Sequence, residues 1–168
     1  SGKAAEESAA PPATSGASSK ASTRTRSRAE LEGDLRKALK TDGITVFYQP
    51  IVRLVDRSIA GFEVLARWNH PTRGAISPAE FIPIAEQSGI INELGLFVLD
   101  KGARQLADWQ QSFRLPVPLF ASVNISSLQL LRHDLINDVK SVLSRSSIAP
   151  GTLKLELTES VVMANPEY

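Results

Sequence analysis

The chain has 168 residues, 19 basic and 18 acidic side chains, a net charge of +1 and no cysteine. A near-neutral balance supplies no global field for nucleic acid or an anionic membrane, so an anionic ligand must be held locally. Without cysteine there are no disulfides, thiolate metal sites or cysteine nucleophiles, which is compatible with a reducing compartment.

Taken in order, Ser1 to about Arg26 is a run of Ala, Ser, Thr, Gly and Pro almost without large apolar side chains. Such a segment cannot bury enough surface to offset chain entropy and reads as a disordered linker, residues 1–26. Its basic cluster, Lys20, Arg24 and Arg26 with Arg28 beyond, reads as solvated linker in preference to a nucleic-acid or lipid contact. The first residue is Ser, so the natural amino terminus is expected elsewhere. No signal-peptide pattern opens the chain, and no apolar run approaches the ~20 residues of a membrane span.

A domain is expected over residues 27–168. Ser27-Arg28-Ala29-Glu30 matches a capping box, and Leu31, Leu35, Ala38 and Leu39 form a stripe that predicts a helix closed by Asp42-Gly43. Apolar strands are predicted at Ile44 to Gln49, Ile59 to Trp68, Leu119 to Ile125 and Leu153 to Thr158. After the first pair they are separated by helical stretches, one from Ile90 to about Gln111 and one from about Leu135 to Leu143. Further capping boxes stand at Ser77-Pro78-Ala79-Glu80 and Ser126-Ser127-Leu128-Gln129, and Pro83 is expected to split the first segment into a turn and a short helix. Strands alternating with helices argue a parallel α/β sheet or barrel, with function at the carboxyl ends of the strands.

The run Gly61-Phe62-Glu63-Val64-Leu65-Ala66-Arg67-Trp68 carries the strongest chemical signal. Strand alternation puts Glu63, Leu65 and Arg67 on one face and Phe62, Val64, Ala66 and Trp68 on the other. Asn124 shares a face with Ser122 and Ser126, and Glu156 stands opposite the leucines of Leu153-Lys154-Leu155-Glu156-Leu157. Two carboxylates and an amide carbonyl converging at one barrel end would suit a hard cation such as Mg²⁺ or Mn²⁺. The bland readings are a Glu63–Arg67 bridge, a Glu156–Lys154 pair and Asn124 as a helix cap. His70 and His133 lie in polar segments and read as solvated loop or cap residues.

The motifs Tyr48-Gln49-Pro50-Ile51-Val52, Glu63-Val64-Leu65-Ala66-Arg67-Trp68, Pro78-Ala79-Glu80-Phe81-Ile82-Pro83, Val123-Asn124-Ile125-Ser126 and Leu155-Glu156-Leu157-Thr158-Glu159 resemble, in order and spacing, the EAL domain of bacterial cyclic di-GMP phosphodiesterases. The signature tripeptide reads Glu63-Val64-Leu65, with the valine facing away from the site. The resemblance implies a TIM-like (β/α) barrel that hydrolyses cyclic di-GMP to linear pGpG with two divalent cations, Mg²⁺ or Mn²⁺. It implies metal ligation by Glu63, Asn124 and Glu156, substrate contacts from Gln49, Leu65 and Arg67, and Glu63 and Glu159 as catalytic acids.

Family members continue into an acidic Asp-Asp-Phe-Gly strand end, a catalytic lysine and a further glutamate. Only about the first half of the barrel is thus expected in this chain, which would be inactive alone. A non-catalytic cyclic di-GMP receptor or interaction domain is the alternative. The resemblance also implies a cytoplasmic bacterial signalling protein with an upstream sensory or diguanylate cyclase domain. Homodimerisation and a membrane tether outside this chain stay open.

Overall fold

A computed structural model describes residues 16–157, with side chains from residue 27 onward. Helix α1 (Gly16–Lys40) leads into strands β1 (Ile44–Val52), β2 (Ile59–His70) and β3 (Gly74–Ile76). Helices α2 (Pro78–Ser88) and α3 (Ile91–Phe113), strand β4 (Phe120–Ile125), helices α4 (Ser127–Leu130) and α5 (Leu135–Ser146), and strand β5 (Leu153–Leu157) follow. The sheet order is β1-β2-β4-β5, with β3 paired to β2 off that path.

The alternation of strands and helices yields the expected parallel pairs, β2 with β4 and β4 with β5. β1 is antiparallel to β2, joined by a short turn in which Asp56 Oδ1 accepts from the Ser58 amide and hydroxyl. The period-2 pattern then sorts the sheet into two faces. Val64, Trp68, Ala121, Val123 and Ile125 are buried on the helix-covered face. Gln49, Asn124, Lys154 and Glu156 stand exposed on the other.

Helical periodicity supplies the covering layer. α3 turns Ile91, Leu94, Val98 and Leu106 inward, and α1 contributes Leu31, Leu35 and Ala38. Phe62 on β2 packs its ring 4.2 Å from that of Trp109 on α3. Gln110 joins α3 to the starts of two strands, donating to Leu119 O at 2.7 Å and to Thr152 Oγ1 at 3.0 Å while accepting from the Ala149 N–H at 2.8 Å. A half-buried amide so fully used fixes where β4 and β5 enter the sheet.

Three expectations need correction, and one element was not anticipated. α1 does not start at Ser27: its helical backbone continues upstream to Gly16, because no glycine or proline interrupts residues 17–32 and a capping-box pattern permits a start without compelling one. Pro83 does not split α2, which runs unbroken from its Ser77 cap. Phe81, Ile84 and Ala85 are buried around it, and the one backbone bond a proline removes is outweighed by that packing. β3 went unforeseen, being only three residues long. Finally, His70 is no solvated loop residue but is buried at 8% exposure.

His70 is buried because both ring nitrogens are used. Nδ1 accepts the Thr72 and Arg73 N–H groups, each at 3.2 Å, and Nε2 donates to Asp34 Oδ2 on α1 at 3.1 Å. The hydrogen bond from His70 holds the Asp34 carboxyl below its ordinary range. A carboxyl with a depressed folded-state pKa adds stability that is present above its unfolded pKa and lost as pH falls through the folded one. The stability advantage of the native chain over Asp34→Asn, followed by thermal unfolding, is therefore expected at neutral pH and should vanish through the acid side of the carboxylate range. Asp34 is well exposed, so this advantage is small.

Gly61 sets the spacing at the root of the site. A Cβ there would overlap Phe120 O and lie 2.7 Å from the Phe120 ring, so only glycine lets β2 and β4 approach. Gly61→Ala is expected to cost about 1–3 kcal/mol in urea unfolding, the usual penalty of overpacking. An unchanged midpoint would show that the strands part freely here.

Candidate active site

The polar face of the sheet gathers the residues singled out by sequence. Gln49 lies opposite Glu63 in the β1–β2 register, and Glu63 pairs with Ser122 across β2–β4. One step further up the strands, Asn124 pairs with Glu156 across β4–β5. Asn124 Nδ2 donates to Glu63 Oε1 at 2.8 Å, joining residues 61 positions apart in the chain. Glu63 is half-buried, whereas Asn124 and Glu156 are exposed.

None of the three bland pairings forms. Glu63 makes no ion pair with Arg67; the guanidinium Nη1 donates to Ala66 O at 2.9 Å and its Cζ stands 5.5 Å from the Phe47 ring centroid. Lys154 leaves Glu156 and sets its Nζ 3.5 Å above the Phe120 ring. Asn124 does not cap α4, since its amide goes to Glu63. Leu65 and Arg67 join Asn124 and Gln129 around a cavity of about 280 Å³ whose remaining wall is largely apolar, with Ile82, Leu94 and Val98. Glu159 lies outside the described residues.

The donor set can be tested against a divalent cation. Among the described residues no three His, Cys, Asp or Glu side chains cluster at metal-binding spacing. A site here must therefore include the Asn124 amide. Half a turn of that amide exchanges its nitrogen and oxygen, so the group now donating to Glu63 can present a carbonyl beside the carboxylate. Two carboxylates and one amide oxygen are the hard ligands that Mg²⁺ and Mn²⁺ prefer. The residues fit the group.

Two participants escaped the sequence reading. Phe47, directly opposite Leu65, forms the platform on which Arg67 rests; the signal was its place on the same strand face as Gln49. Gln129 was read as a capping residue alone, yet it also lines the cavity.

This geometry defines a sheet, backed by helices, whose polar face sets two carboxylates and an amide on three adjacent parallel strands. The family model of the EAL domain matches residues 32–167. The chain belongs to the EAL domain family. It is 41% identical over 137 residues to a signalling protein of Caulobacter vibrioides, covering 82% of this chain and 16% of that protein. It is 37% identical over 138 residues to the bifunctional diguanylate cyclase/cyclic di-GMP phosphodiesterase MucR of Pseudomonas aeruginosa, covering 82% and 20%. The solved MucR phosphodiesterase in complex with c-di-GMP superposes with a TM-score of 0.75, covering 82% of this chain and 55% of that one. The EAL enzyme Bd1971 in its cAMP- and cyclic-di-GMP-bound form gives 0.76 at 30% identity, covering 84% and 39%. The chain thus spans about a fifth or less of the length of these curated relatives. No helix among the described residues is long and apolar enough to cross a membrane.

Proposed function

We propose that this chain carries the amino-terminal strands of a metal-dependent phosphodiesterase that hydrolyses cyclic di-GMP to linear pGpG. The observation that carries the reading is the 2.8 Å contact between Asn124 and Glu63, with Glu156 in register beside Asn124. Three oxygen donors far apart in sequence share one sheet face on the adjacent strands β2, β4 and β5, and relatives with this domain are named for cyclic di-GMP hydrolysis.

Glu63, Asn124 and Glu156 would hold Mg²⁺ or Mn²⁺. Bound there, paired cations would lower the pKa of a water and neutralise charge developing on the phosphoryl oxygens. Arg67 grips a phosphate after swinging from Ala66 O, its planar fork suited to two oxygens at once. Gln49 and Leu65 border the dinucleotide, and Glu159 supplies a further acid to the same motif. An upstream sensory or cyclase domain, a cytoplasmic setting and no nucleic-acid partner complete the reading, and a homodimer is compatible with it.

Residues 1–168 alone lack the acidic pair and the lysine that the family chemistry needs, so they bind without turning over. Titrating ¹⁵N-labelled chain with cyclic di-GMP and Mg²⁺ is expected to shift the Gln49, Leu65 and Arg67 signals while chromatography detects no pGpG. Accumulating pGpG would refute the inactivity. Signals unmoved at all three residues would refute the substrate assignment.

A further inference from the structure

Just past Val123, strand β4 loses one neighbour. β2 and β4 pair only from Gly61–Phe120 to Val64–Val123, after which β2 goes on to pair with β3 from Trp68. Asn124 therefore stands on a strand end supported by the sheet on its β5 side alone, through Asn124–Glu156 and Ile125–Leu157. An unpaired strand end frays, and a frayed end scatters any ligand it carries.

The vacant side opens on the cavity lined by Leu65, Arg67 and Asn124, and Gln129, a buried polar residue at 4% exposure, borders it. Its Oε1 accepts the Ser126 N–H at 3.1 Å, and its backbone N–H donates to Ser126 O at 3.1 Å. Ser126 is thus gripped on both peptide faces, two residues beyond Asn124. The carboxamide itself is seated on α3: a Cβ built on Gly95 would overlap Gln129 Nε2 and stand 2.9 Å from its Cδ. α3 is anchored in the core on either side of Gly95 by Leu94 and Val98, so the seat is rigid.

We infer that Gln129, seated against Gly95, is a positioning residue that holds the end of β4 so that the Asn124 amide stays beside Glu63 and can ligate a divalent cation. This rests on the metal reading above. Gln129 does not touch the cation; it acts through the Ser126 backbone, as supporting groups around metal ligands do. The glycine at position 95 follows from the same need, since any side chain there would push the carboxamide off Ser126.

The test is Mn²⁺ titration of the ¹⁵N-labelled chain, read as paramagnetic broadening of the Asn124 side-chain and Glu63 amide signals. Gln129→Met keeps the length of the side chain and removes its acceptor; Gly95→Ala leaves Gln129 in place and displaces it from α3. Both are expected to raise the Mn²⁺ concentration that half-broadens Asn124 by about tenfold, the usual effect of losing a ligand's support. Exchange protection of the Ser126 amide should fall with it, while the core amides of α3 keep theirs and show that each variant is folded. Half-broadening at the parent concentration in Gly95→Ala or in folded Gln129→Met would overturn the inference and leave the metal site standing. Absence of selective broadening in the parent chain would instead overturn the metal reading, and this inference with it.

Discussion

Replacing Glu63 by glutamine is expected to reduce cyclic di-GMP turnover by about a thousandfold in a chimera that joins residues 1–157 to the remaining strands of the MucR phosphodiesterase domain. The size follows from the chemistry. Electrostatic stabilisation by a bound cation is worth several kcal/mol, and each 1.36 kcal/mol is about tenfold in rate. The substituted amide would keep the shape of the side chain and its hydrogen bond to Asn124, which is 2.8 Å long in the native chain, while losing the charge that recruits the cation. Release of pGpG under steady-state conditions measures it. Turnover within a few-fold of the parent chimera would remove Glu63 from the catalytic machinery.

The largest effect on stability is expected at Trp68, the last apolar residue of the signature strand. Its ring is 1% exposed and meets Phe81 of α2 edge to face at 5.9 Å. Trp68→Ala should cost about 3–5 kcal/mol by urea unfolding, because the indole leaves a cavity that the strand and helix cannot close. That is a large fraction of the ~5–15 kcal/mol total of a typical domain. Trp68→Phe should cost far less: the indole Nε1 is buried with no hydrogen-bond partner among the described residues, so the smaller ring removes an unsatisfied donor together with some volume. Equal losses in the two variants would mean that the indole N–H is paired in solution.

The strands and the faces of their side chains were legible in the sequence because period-2 alternation is a local property. Glu63, Leu65 and Arg67 had to share a face, and so had Lys154 and Glu156, whatever the tertiary fold. The long helix α3 was legible for the same reason, through its 3.6-residue stripe. Contacts that depend on which strand neighbours which were not. The Asn124–Glu63 hydrogen bond requires β2 and β4 to be adjacent although β3, α2 and α3 intervene in the chain. His70 was misread because its partner, Asp34, sits on α1 and not near it in sequence. Gln129 reads as an ordinary cap in the sequence because Gly95, which seats its carboxamide, lies on α3 far away in the chain. Pro83 misled in the opposite way: a strong local rule gave way to buried neighbours on both sides.

The site assignments Glu63, Asn124 and Glu156 are the centre of the account, and one diffraction experiment addresses them together. Crystals of the chain soaked in Mn²⁺ and cyclic di-GMP would be measured at the manganese absorption edge for an anomalous difference peak. A peak coordinated by the Glu63 and Glu156 carboxylates and the Asn124 side-chain oxygen is expected, with a phosphate within reach of Arg67. A peak bound elsewhere, or ordered cyclic di-GMP at Arg67 with no manganese between those three side chains, would contradict it.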